Sequence, residues 1–244
     1  MKIVINQDFT HLKEFIENIP NGNYKTEYTY CNKRNVVERV KVGEDIIVIK
    51  RYKRPTIANC IVYTFFRKNK ARRSFEYAKR LLKIGIDTAK PIAYIELNSY
   101  GFFHTGYYIS EWLPYTPLPK IFAETKEKEK IKNEFINFTL NLHMNKVWPG
   151  DYNPNNILVK HTENGFKFAL VDINRMKFNK IPSIKNAMKS MVQLTEETQI
   201  LAEIIPAYAK LRGKNEDKSL FFCITKQTQD KRKNYNKKRN LKPF

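Results

Sequence analysis

The chain has 244 residues, of which 45 are Lys or Arg and 24 are Asp or Glu, so its formal net charge is +21. Hydrophobic residues make up 42% and aromatic residues 13% of the chain, which excludes a disordered protein and predicts one globular domain or one two-lobed unit. The positive charge predicts a polyanionic partner, either nucleic acid, an anionic membrane surface or a phosphorylated substrate. Charge by itself does not choose among the three.

The cysteines and the hydropathy pattern bear on the compartment. The chain has three widely spaced cysteines and no C-x-x-C pair, which argues against a disulfide framework or a zinc site. Its start has no apolar core long enough for a signal peptide, and no apolar run approaches the ~20 residues of a membrane span. We expect a cytoplasmic protein, or one attached to the cytoplasmic side of another structure.

The first half of the chain is predicted to contain a short helix, a strand meander, a longer helix and two further strands. Apolar side chains recur at helical spacing over residues 8–19 and over residues 70–84. The predicted strands are rich in β-branched and aromatic residues, and they span residues 24–31, 36–42, 46–52, 92–98 and 106–111. The turn between the first two strands contains no glycine.

The second half of the chain is predicted to be mostly helical. A stiff connection leads into it, indicated by three prolines at positions Pro114, Pro117 and Pro119. A helix begins in the Glu- and Lys-rich stretch 123–134 and runs to about Met144. A further helical pattern spans residues 183–212.

A loop in the second half carries the candidate chemistry. Asp151 and Asn156 have the D-x-x-x-x-N spacing of the kinase catalytic loop, and Asp172 ends a later apolar run, where a kinase has its D-F-G aspartate. Phosphoryl transfer needs a group that orients the attacking hydroxyl and then two oxygen ligands for Mg²⁺. We therefore expect Asp151 to be catalytic and Asn156 and Asp172 to bind the metal. The alternative is an Asx-turn loop that shows this spacing by chance.

A lysine and a glutamate upstream match two further kinase positions. Val48 and Lys50 alternate along one predicted strand and share a face, as the valine and lysine of V-A-I-K do. Valine would cover the adenine, and the lysine would reach the phosphates. Glu76 is the only acidic residue between Asp45 and Asp87, among twelve Lys and Arg, and is the candidate partner of Lys50. The alternative is an exposed i,i+4 pair of Glu76 with Arg80.

The adenine site is expected where the last predicted strand runs into the inter-lobe connection. In this interpretation Ile109 lies beside the adenine, and the backbone from Glu111 to Leu113 makes the hydrogen bonds to it. Several features occur in the order in which a kinase has them: a strand lysine, a helix glutamate, a connection, a long helix, the Asp/Asn loop and a final aspartate. This order favours a kinase over an Asx-turn loop that shows the spacing by chance.

These elements predict an α+β chain with a two-lobed protein-kinase-like fold. The lobe with the antiparallel sheet and one main helix spans residues 24–113, and the mostly helical lobe spans residues 114–225. An N-terminal helical extension, residues 1–23, precedes them. The last segment, residues 226–244, has eight basic residues and one acid, and we expect it to be a flexible tail.

The loop from Gly150 to Leu158 resembles the H-G-D-x-x-x-x-N-I-L loop of small-molecule and glycan kinases. From Asp45 to about Phe178 the chain is most similar to bacterial lipopolysaccharide kinases, which phosphorylate Kdo or heptose sugars of the inner core. The likeness includes the Val48–Lys50 strand, the basic helix before residues 85–91, and residues 172–176, similar to an aspartate-Arg-Met segment of that family. Pro149 and Gly150 replace the His-Arg of protein kinases, which argues against regulation by activation-loop phosphorylation.

The resemblance implies an ATP- and Mg²⁺-dependent kinase of an inner-core sugar, with an anionic glycolipid as its acceptor. It implies a cytoplasmic location, peripheral on the inner membrane. The anionic membrane surface would be bound by basic clusters at residues 51–54, 67–73 and 226–244, with Phe65 and Phe66 at the interface. A nucleic-acid partner is disfavoured, and no sequence feature indicates an oligomeric state.

Three alternatives remain at this level. One is a kinase of proteins or other small molecules, and another is a pseudokinase, since the first turn lacks glycine. The third belongs to a different class, a basic nucleic-acid-binding module with interleaved Tyr and Phe. That module would leave Asp151, Asn156 and Asp172 without a role.

Overall fold

The computed structural model of the chain describes residues 1–33 and 35–239. The chain separates into two compact units. The first contains Met1–Pro114 together with Asp172–Asn174. The second contains Tyr115–Val171 and the residues that follow Asn174.

The first unit is built on a six-stranded sheet in the order β1-β5-β6-β4-β3-β2, in which all neighbours are antiparallel. Its strands are β1 (Lys2–Ile5), β2 (Thr26–Asn32), β3 (Val36–Val42), β4 (Asp45–Arg51), β5 (Pro91–Ser99) and β6 (Phe102–Glu111). The predicted meander and the two later strands are confirmed. In the glycine-free turn between β2 and β3, Arg34 lies outside the described residues.

The N-terminal residues form part of this sheet rather than an extension from it. β1 pairs along its whole length with β5, so residues 2–5 complete one edge. The predicted helix over residues 8–19 is α1 (Lys13–Asn18) between two 3₁₀ helices, Gln7–Leu12 and Ile19–Asn21. This segment packs its apolar side chains, among them Phe9 and Ile16, against Ile47, Ile49 and Ile109 of the sheet.

The opposite face of the sheet is covered by α3 (Lys70–Lys83). The side chain of Asn69 caps its start by accepting a hydrogen bond from the Arg72 N–H at 3.1 Å. Phe75 packs edge-on against Tyr94, and the hydroxyls of Ser74 and Tyr52 are 2.8 Å apart. A further helix that the sequence patterns did not predict, α2 (Ile57–Phe65), precedes α3 and contacts β6.

The second unit is mostly helical, with a small antiparallel sheet in the order β7-β8-β9. Its elements are β7 (Thr116–Pro117), α4 (Leu118–Glu124), α5 (Lys128–Met144), β8 (Ile157–Thr162), β9 (Gly165–Leu170), α6 (Ile184–Met191), α7 (Thr198–Leu211) and α8 (Glu216–Arg239). Aromatic side chains join α5 to β9, where Phe138 stacks on Phe168 with ring centroids 5.2 Å apart. Among the helices of the described residues, none is long and apolar enough to cross a membrane.

Two predictions for the second unit need correction. The helical pattern over residues 183–212 is divided into α6 and α7, with a 3₁₀ helix, Val192–Leu194, between them. The basic segment from residue 226 is not a free tail, because α8 continues through it to Arg239. Gln227 of α8 is buried and donates to the carbonyl of Thr195 at 3.0 Å, so tertiary packing stabilises the helix that composition disfavoured. Residues 240–244 of the predicted tail lie outside the described residues.

Candidate active site

Lys50 and Asp172, both in the first unit, form an ion pair. Lys50 lies on β4, and its Nζ donates to Oδ1 of Asp172 at 2.6 Å. Its side chain is only 13% exposed, and Nζ lies 5.4 Å from the ring centroid of Tyr52. Burial, and next the charge of Asp172, raise the pKa of Tyr52 above its usual range. The strand therefore holds the largely buried amine of Lys50 against a partly exposed carboxylate.

Asp172 has a backbone conformation that is costly for a residue with a Cβ. Its φ is +52°, in the left-handed region, and such residues concentrate at functional sites. The Asn174 side chain, which is buried, donates from Nδ2 to Oδ1 of Asp172 at 2.6 Å. Both contacts use Oδ1, so Oδ2 is the carboxylate oxygen left for a ligand. Asn174 takes the place of the D-F-G glycine and fixes the Asp172 carboxylate, a contact that no sequence pattern predicted.

Glu76 does not meet Lys50 in the structure. Its carboxylate accepts from Lys68 at 2.7 Å and from Nε of Arg72, one turn earlier on α3, at 2.9 Å. Burial raises the pKa of Glu76, but the hydrogen bonds and charges of Lys68 and Arg72 together outweigh burial, so the net effect lowers the pKa. Among the described residues the predicted Lys50–Glu76 pair does not form, because Glu76 pairs with Lys68, just before α3, and with Arg72, four residues earlier on the helix.

The register places Ile109, which was predicted to lie beside the adenine, on the face opposite to Val48 and Lys50. Ile109 pairs directly with Ile49, and both side chains are buried in the cluster beneath the N-terminal segment. Directly paired residues share a face, and the face alternates along each strand. The β6 residues on the face of Val48 and Lys50 are therefore their pair partners, Ser110 and Tyr108. Sequence patterns could not identify these two residues, because a shift of one residue in the strand pairing would place the other set of side chains on this face.

The segment after β6 has the backbone groups that the sequence analysis assigned to the adenine site. The Glu111 N–H donates to the carbonyl of Lys90, and the Trp112 N–H donates to the carbonyl of Ile46, each at 2.9 Å. Within the part of the chain that the structure describes, the N–H of Leu113 has no backbone partner. These two bonds attach the end of β6 to the chain at Lys90 and at Ile46. The Leu113 N–H is left available to donate to a ligand.

In the second unit, the residues directly before Asp151 pair in an antiparallel way with residues 175–177. Trp148 and Lys177 exchange backbone hydrogen bonds at 3.0 and 2.9 Å, and the Gly150 N–H donates to the carbonyl of Arg175 at 3.2 Å. A Cβ added to Gly150 would lie 2.5 Å from that carbonyl oxygen. Glycine is therefore required here by the close approach of the Arg175 backbone.

Arg175 also contacts the candidate catalytic carboxylate directly. Its Nη1 donates to Oδ2 of Asp151 at 3.2 Å, and both side chains are partly exposed. In protein kinases an arginine precedes the catalytic aspartate in sequence. Here glycine occupies that position and an arginine reaches the aspartate from a segment 24 residues later.

The residues beside Asp151 are fixed by buried contacts. The Pro149 carbonyl accepts from the Ser190 hydroxyl at 2.7 Å, and the Tyr152 N–H donates to Oε1 of Gln193 at 3.0 Å. The buried Tyr152 hydroxyl lies 2.8 Å from that of Thr139. The loop is therefore attached to α5 and to the α6 region, which limits the movement of the carboxylate.

Asn156 is the last residue of the same loop. Its N–H donates to the Asn153 carbonyl, and its carbonyl accepts from the Val171 N–H, both at 2.9 Å. These bonds use only the backbone, and within the described residues the side-chain amide makes no hydrogen bond of its own. Val171 directly precedes Asp172 in the chain. An amide oxygen and a carboxylate oxygen are donors that suit Mg²⁺, which takes its remaining ligands from phosphates and water. Among the described residues there is no cluster of three or more His, Cys, Asp or Glu suited to a metal.

Comparison with known proteins agrees with this arrangement. The sheet with one main helix, followed by a helical unit with the Asp/Asn loop, is a protein-kinase-like fold. A solved structure of WaaP in complex with acyl carrier protein matches 94% of this chain and 99% of its own chain, with 15% identity and a TM-score of 0.63. The model of the lipopolysaccharide kinase (Kdo/WaaP) family matches residues 36–203, more than half of the chain. The chain belongs to this family, and it is a kinase of lipopolysaccharide biosynthesis.

Two weaker structural similarities are to other kinases. The Rio2 kinase of Chaetomium thermophilum matches 93% of this chain and 78% of its own at 13% identity, with a TM-score of 0.48. WbdD matches 83% of this chain and 46% of its own at 16% identity, with a TM-score of 0.49. No curated protein matches the chain.

Proposed function

We propose that this kinase transfers the γ-phosphoryl group of ATP to a sugar hydroxyl of the lipopolysaccharide inner core, on Kdo or heptose, at the cytoplasmic face of the inner membrane. The observation that carries the proposal is the Lys50–Asp172 pair on a strained backbone, in a chain of the lipopolysaccharide kinase family. A phosphate-binding lysine and a metal-binding aspartate are the two groups that a kinase uses to hold ATP.

The proposed roles follow the chemistry of each side chain. Asp151 orients the acceptor hydroxyl and takes its proton as that oxygen bonds to the γ-phosphorus and the bond from the γ-phosphorus to the ADP oxygen breaks. Lys50 would bind the nucleotide phosphates, and Asn156 and Asp172 would each offer an oxygen ligand to Mg²⁺. Bound Mg²⁺ supplies positive charge that neutralises the phosphate oxygens. Arg175 orients Asp151 through a charge-assisted hydrogen bond.

The proposed nucleotide site lies on the α3-facing side of the sheet. Val48, Tyr108 and Ser110 share that face with Lys50, and the apolar surface of Val48 suits an adenine ring. The Leu113 N–H and the backbone at Glu111 supply the hydrogen bonds to the ring. Ile109 is not part of this site. Glu76, which binds Lys68 and Arg72, is not assigned to ATP either.

The decisive experiment is transfer of radiolabelled phosphate from ATP to purified Kdo–lipid A and to its heptosylated product. We expect Mg²⁺-dependent labelling of one of these acceptors by the wild type. Asp151→Ala should lower the rate at least about 1,000-fold, because the acceptor loses its orienting base. Asp217→Ala, which removes an exposed carboxylate of α8, is the matched control and should label normally.

The result also decides between the acceptors and the alternatives. Labelling of only the heptosylated acceptor assigns a heptose. Equal labelling by the wild type and by Asp151→Ala would refute the role of this residue. Binding of Mg²⁺-ATP without labelling of any glycolipid would identify a pseudokinase, and labelling of a protein or a soluble alcohol would identify a different substrate class.

A further inference from the structure

Helix α2 and the neighbouring β5–β6 turn expose an unusual amount of apolar surface. α2 has no buried residue. Ile57 is 82% exposed, Phe65 66% and Phe66 81%. Large exposed hydrophobic side chains concentrate in this part of the first unit, and they are Ile57, Ile61, Val62, Phe65, Phe66, Tyr100 and Phe102. An apolar patch of this kind on a folded domain marks an interaction surface.

The patch belongs to ordered structure that other contacts hold in place. Thr64 of α2 accepts a hydrogen bond from the Phe103 N–H at 2.9 Å, and the Tyr63 ring packs edge-on against Phe103. Ile57, Ile61 and Phe65 are spaced four residues apart and share one helix face, which borders the β5–β6 turn and is largely exposed. The exposed apolar face therefore results from the way α2 is seated.

The turn between β5 and β6 extends this face. Phe65 contacts Phe102 edge-on, with ring centroids 6.1 Å apart. A cavity of about 220 Å³ lies between the helix and the turn, with Ile57, Ile61 and Phe102 among its lining residues. Helix and turn together form one surface, which we call the α2 patch and define as residues 57–66 and 100–102.

The charged residues around the α2 patch indicate which kind of partner can bind it. Exposed cations lie at both ends of the helix, with Lys53 and Arg54 before it and Arg67 and Lys68 after it. No acidic residue occurs from position 46 to position 75. Arg73, which the sequence analysis placed in the same basic cluster, is buried and donates to the Asn69 carbonyl, so it is not part of the rim. The partner must offer an apolar interior bordered by negative charge.

We propose that the α2 patch inserts into the interfacial region of an anionic lipid bilayer, with the flanking cations on the lipid headgroups. A short amphipathic helix with aromatic side chains and a basic rim binds membranes in this way. This proposal rests on the proposed function, because binding to a membrane would bring the enzyme to its glycolipid acceptor. It goes further than attraction by basic clusters, because the apolar side chains enter the bilayer.

The test is binding to vesicles that contain no lipopolysaccharide, made of phosphatidylcholine alone or mixed with phosphatidylglycerol. The wild type should bind the mixed vesicles and bind phosphatidylcholine poorly. The double variant Phe65→Ser/Phe66→Ser should bind mixed vesicles at least about tenfold more weakly. Phe221→Ser, which removes a 73% exposed phenylalanine of α8, is the matched control and should bind as the wild type does.

Two further readouts separate insertion from surface charge and from misfolding. The fluorescence of Phe65→Trp should shift to shorter wavelength with mixed vesicles and be quenched by brominated lipid. Arg54→Gln/Arg67→Gln should lose binding to mixed vesicles while its thermal unfolding stays unchanged. Equal vesicle binding by the wild type and by the Phe65/Phe66 variant would overturn the proposal, and so would capture of an acidic protein by the patch without vesicle binding.

Activity distinguishes this inference from the proposed function. The Phe65/Phe66 variant should phosphorylate a detergent-dispersed acceptor at the wild-type rate and a vesicle-embedded acceptor more slowly. If the wild type binds mixed vesicles through the patch but phosphorylates no glycolipid, only the proposed function fails. If it phosphorylates glycolipid without using the patch, only the inference fails.

Discussion

At the scale of single residues, the kinase site shows which side chains hold the charged groups in place. Lys50 is paired with Asp172 rather than with a glutamate of α3, and Asn174 donates to the same carboxylate oxygen. A carboxylate with two fixed donors on Oδ1 has little rotational freedom, which presents Oδ2 in one direction. In this chain the Asp172–Asn174 turn holds Lys50, and a helix glutamate makes the corresponding contact in protein kinases.

The first prediction concerns Lys50 and Glu76. Lys50→Ala should lower kcat/KM for ATP at least about 100-fold, because the phosphates lose their cation. Glu76→Gln should change it by no more than about threefold, because partly exposed ion pairs such as those of Glu76 contribute little. Steady-state kinetics with varied ATP measures both, and Lys53→Ala is the control for Lys50. Equal losses in the two variants would show that Glu76 pairs with Lys50 during the reaction.

The second prediction concerns Asn174. Asn174→Ala removes the donor to Asp172, and we expect the Mg²⁺ concentration at half-maximal activity to rise about tenfold to 100-fold, the usual effect of losing an outer-shell partner. A Mg²⁺ titration of phosphate transfer measures it. Asn155→Ala removes an exposed amide elsewhere in the site loops and should leave the Mg²⁺ dependence as it is. An unchanged Mg²⁺ requirement in Asn174→Ala would show that the hydrogen bond does not orient Asp172.

At the scale of elements, Asp151 depends on two segments that are distant in sequence. Residues 148–150 pair with residues 175–177, and the loop after Asp151 is anchored to Gln193 and Thr139. Asp151 thus sits between a backbone pairing and a buried tyrosine. The replacement of the kinase His-Arg by Pro149-Gly150 is part of this pairing, because a side chain at position 150 would overlap the Arg175 carbonyl.

The third prediction tests that overlap. Gly150→Ala should reduce the free energy of unfolding by roughly 1–3 kcal/mol and strongly reduce phosphate transfer, because the Arg175 backbone must move away from Asp151. Urea unfolding and the transfer assay measure the two effects. Gly43→Ala is the control, because its φ of +60° makes alanine costly while nothing lies within 4 Å of the new Cβ. It should lose stability and keep its activity. Full activity in Gly150→Ala would contradict the proposed role of this pairing.

At the scale of the whole molecule, the charge of one buried histidine in the second unit affects the free energy of unfolding. His143 is fully buried, with Nδ1 2.6 Å from the Tyr208 hydroxyl, and within the described residues Nε2 has no hydrogen-bond partner. Burial, and next the charge of Arg212, lower the pKa of His143 to about 3. The folded chain therefore keeps this ring neutral where an unfolded chain would protonate it.

The fourth prediction is the pH dependence that follows. Because the folded pKa lies below the unfolded one, the unfolded state binds a proton that the folded state does not as the pH falls below about 6.5. The free energy of unfolding should fall by roughly 2 kcal/mol from pH 7 to pH 5 through this residue. In His143→Gln the fall should be smaller by that amount, as measured by urea unfolding at both pH values. His161→Gln, on the surface, is the control. An identical pH dependence in His143→Gln and the wild type would refute the prediction.

Much of the fold was predictable because it follows from local patterns. The strand meander, α3 and α5 have periodicities that neighbouring residues alone produce. α2 and α8 were not predicted, because one has little polar contrast and the other is highly basic, and each is stabilised by contacts with distant residues such as Phe103 and Thr195. The edge position of β1 also depends on pairing with a strand about 90 residues later, which no local pattern shows.

The sequence by itself determined the kinase fold, the family, and the spacing of Lys50, Asp151, Asn156 and Asp172, because these depend on residue type and order along the chain. Only the tertiary structure decided which side chains meet. The sheet register places Ile109 on the face opposite to Lys50 and places Tyr108 and Ser110 on the same face as Lys50. The packing of α3 places Glu76 against Lys68, and not against Lys50. Strand parity and helix rotation are set by packing between distant segments, so a one-residue change in register reverses a side chain without changing the motif.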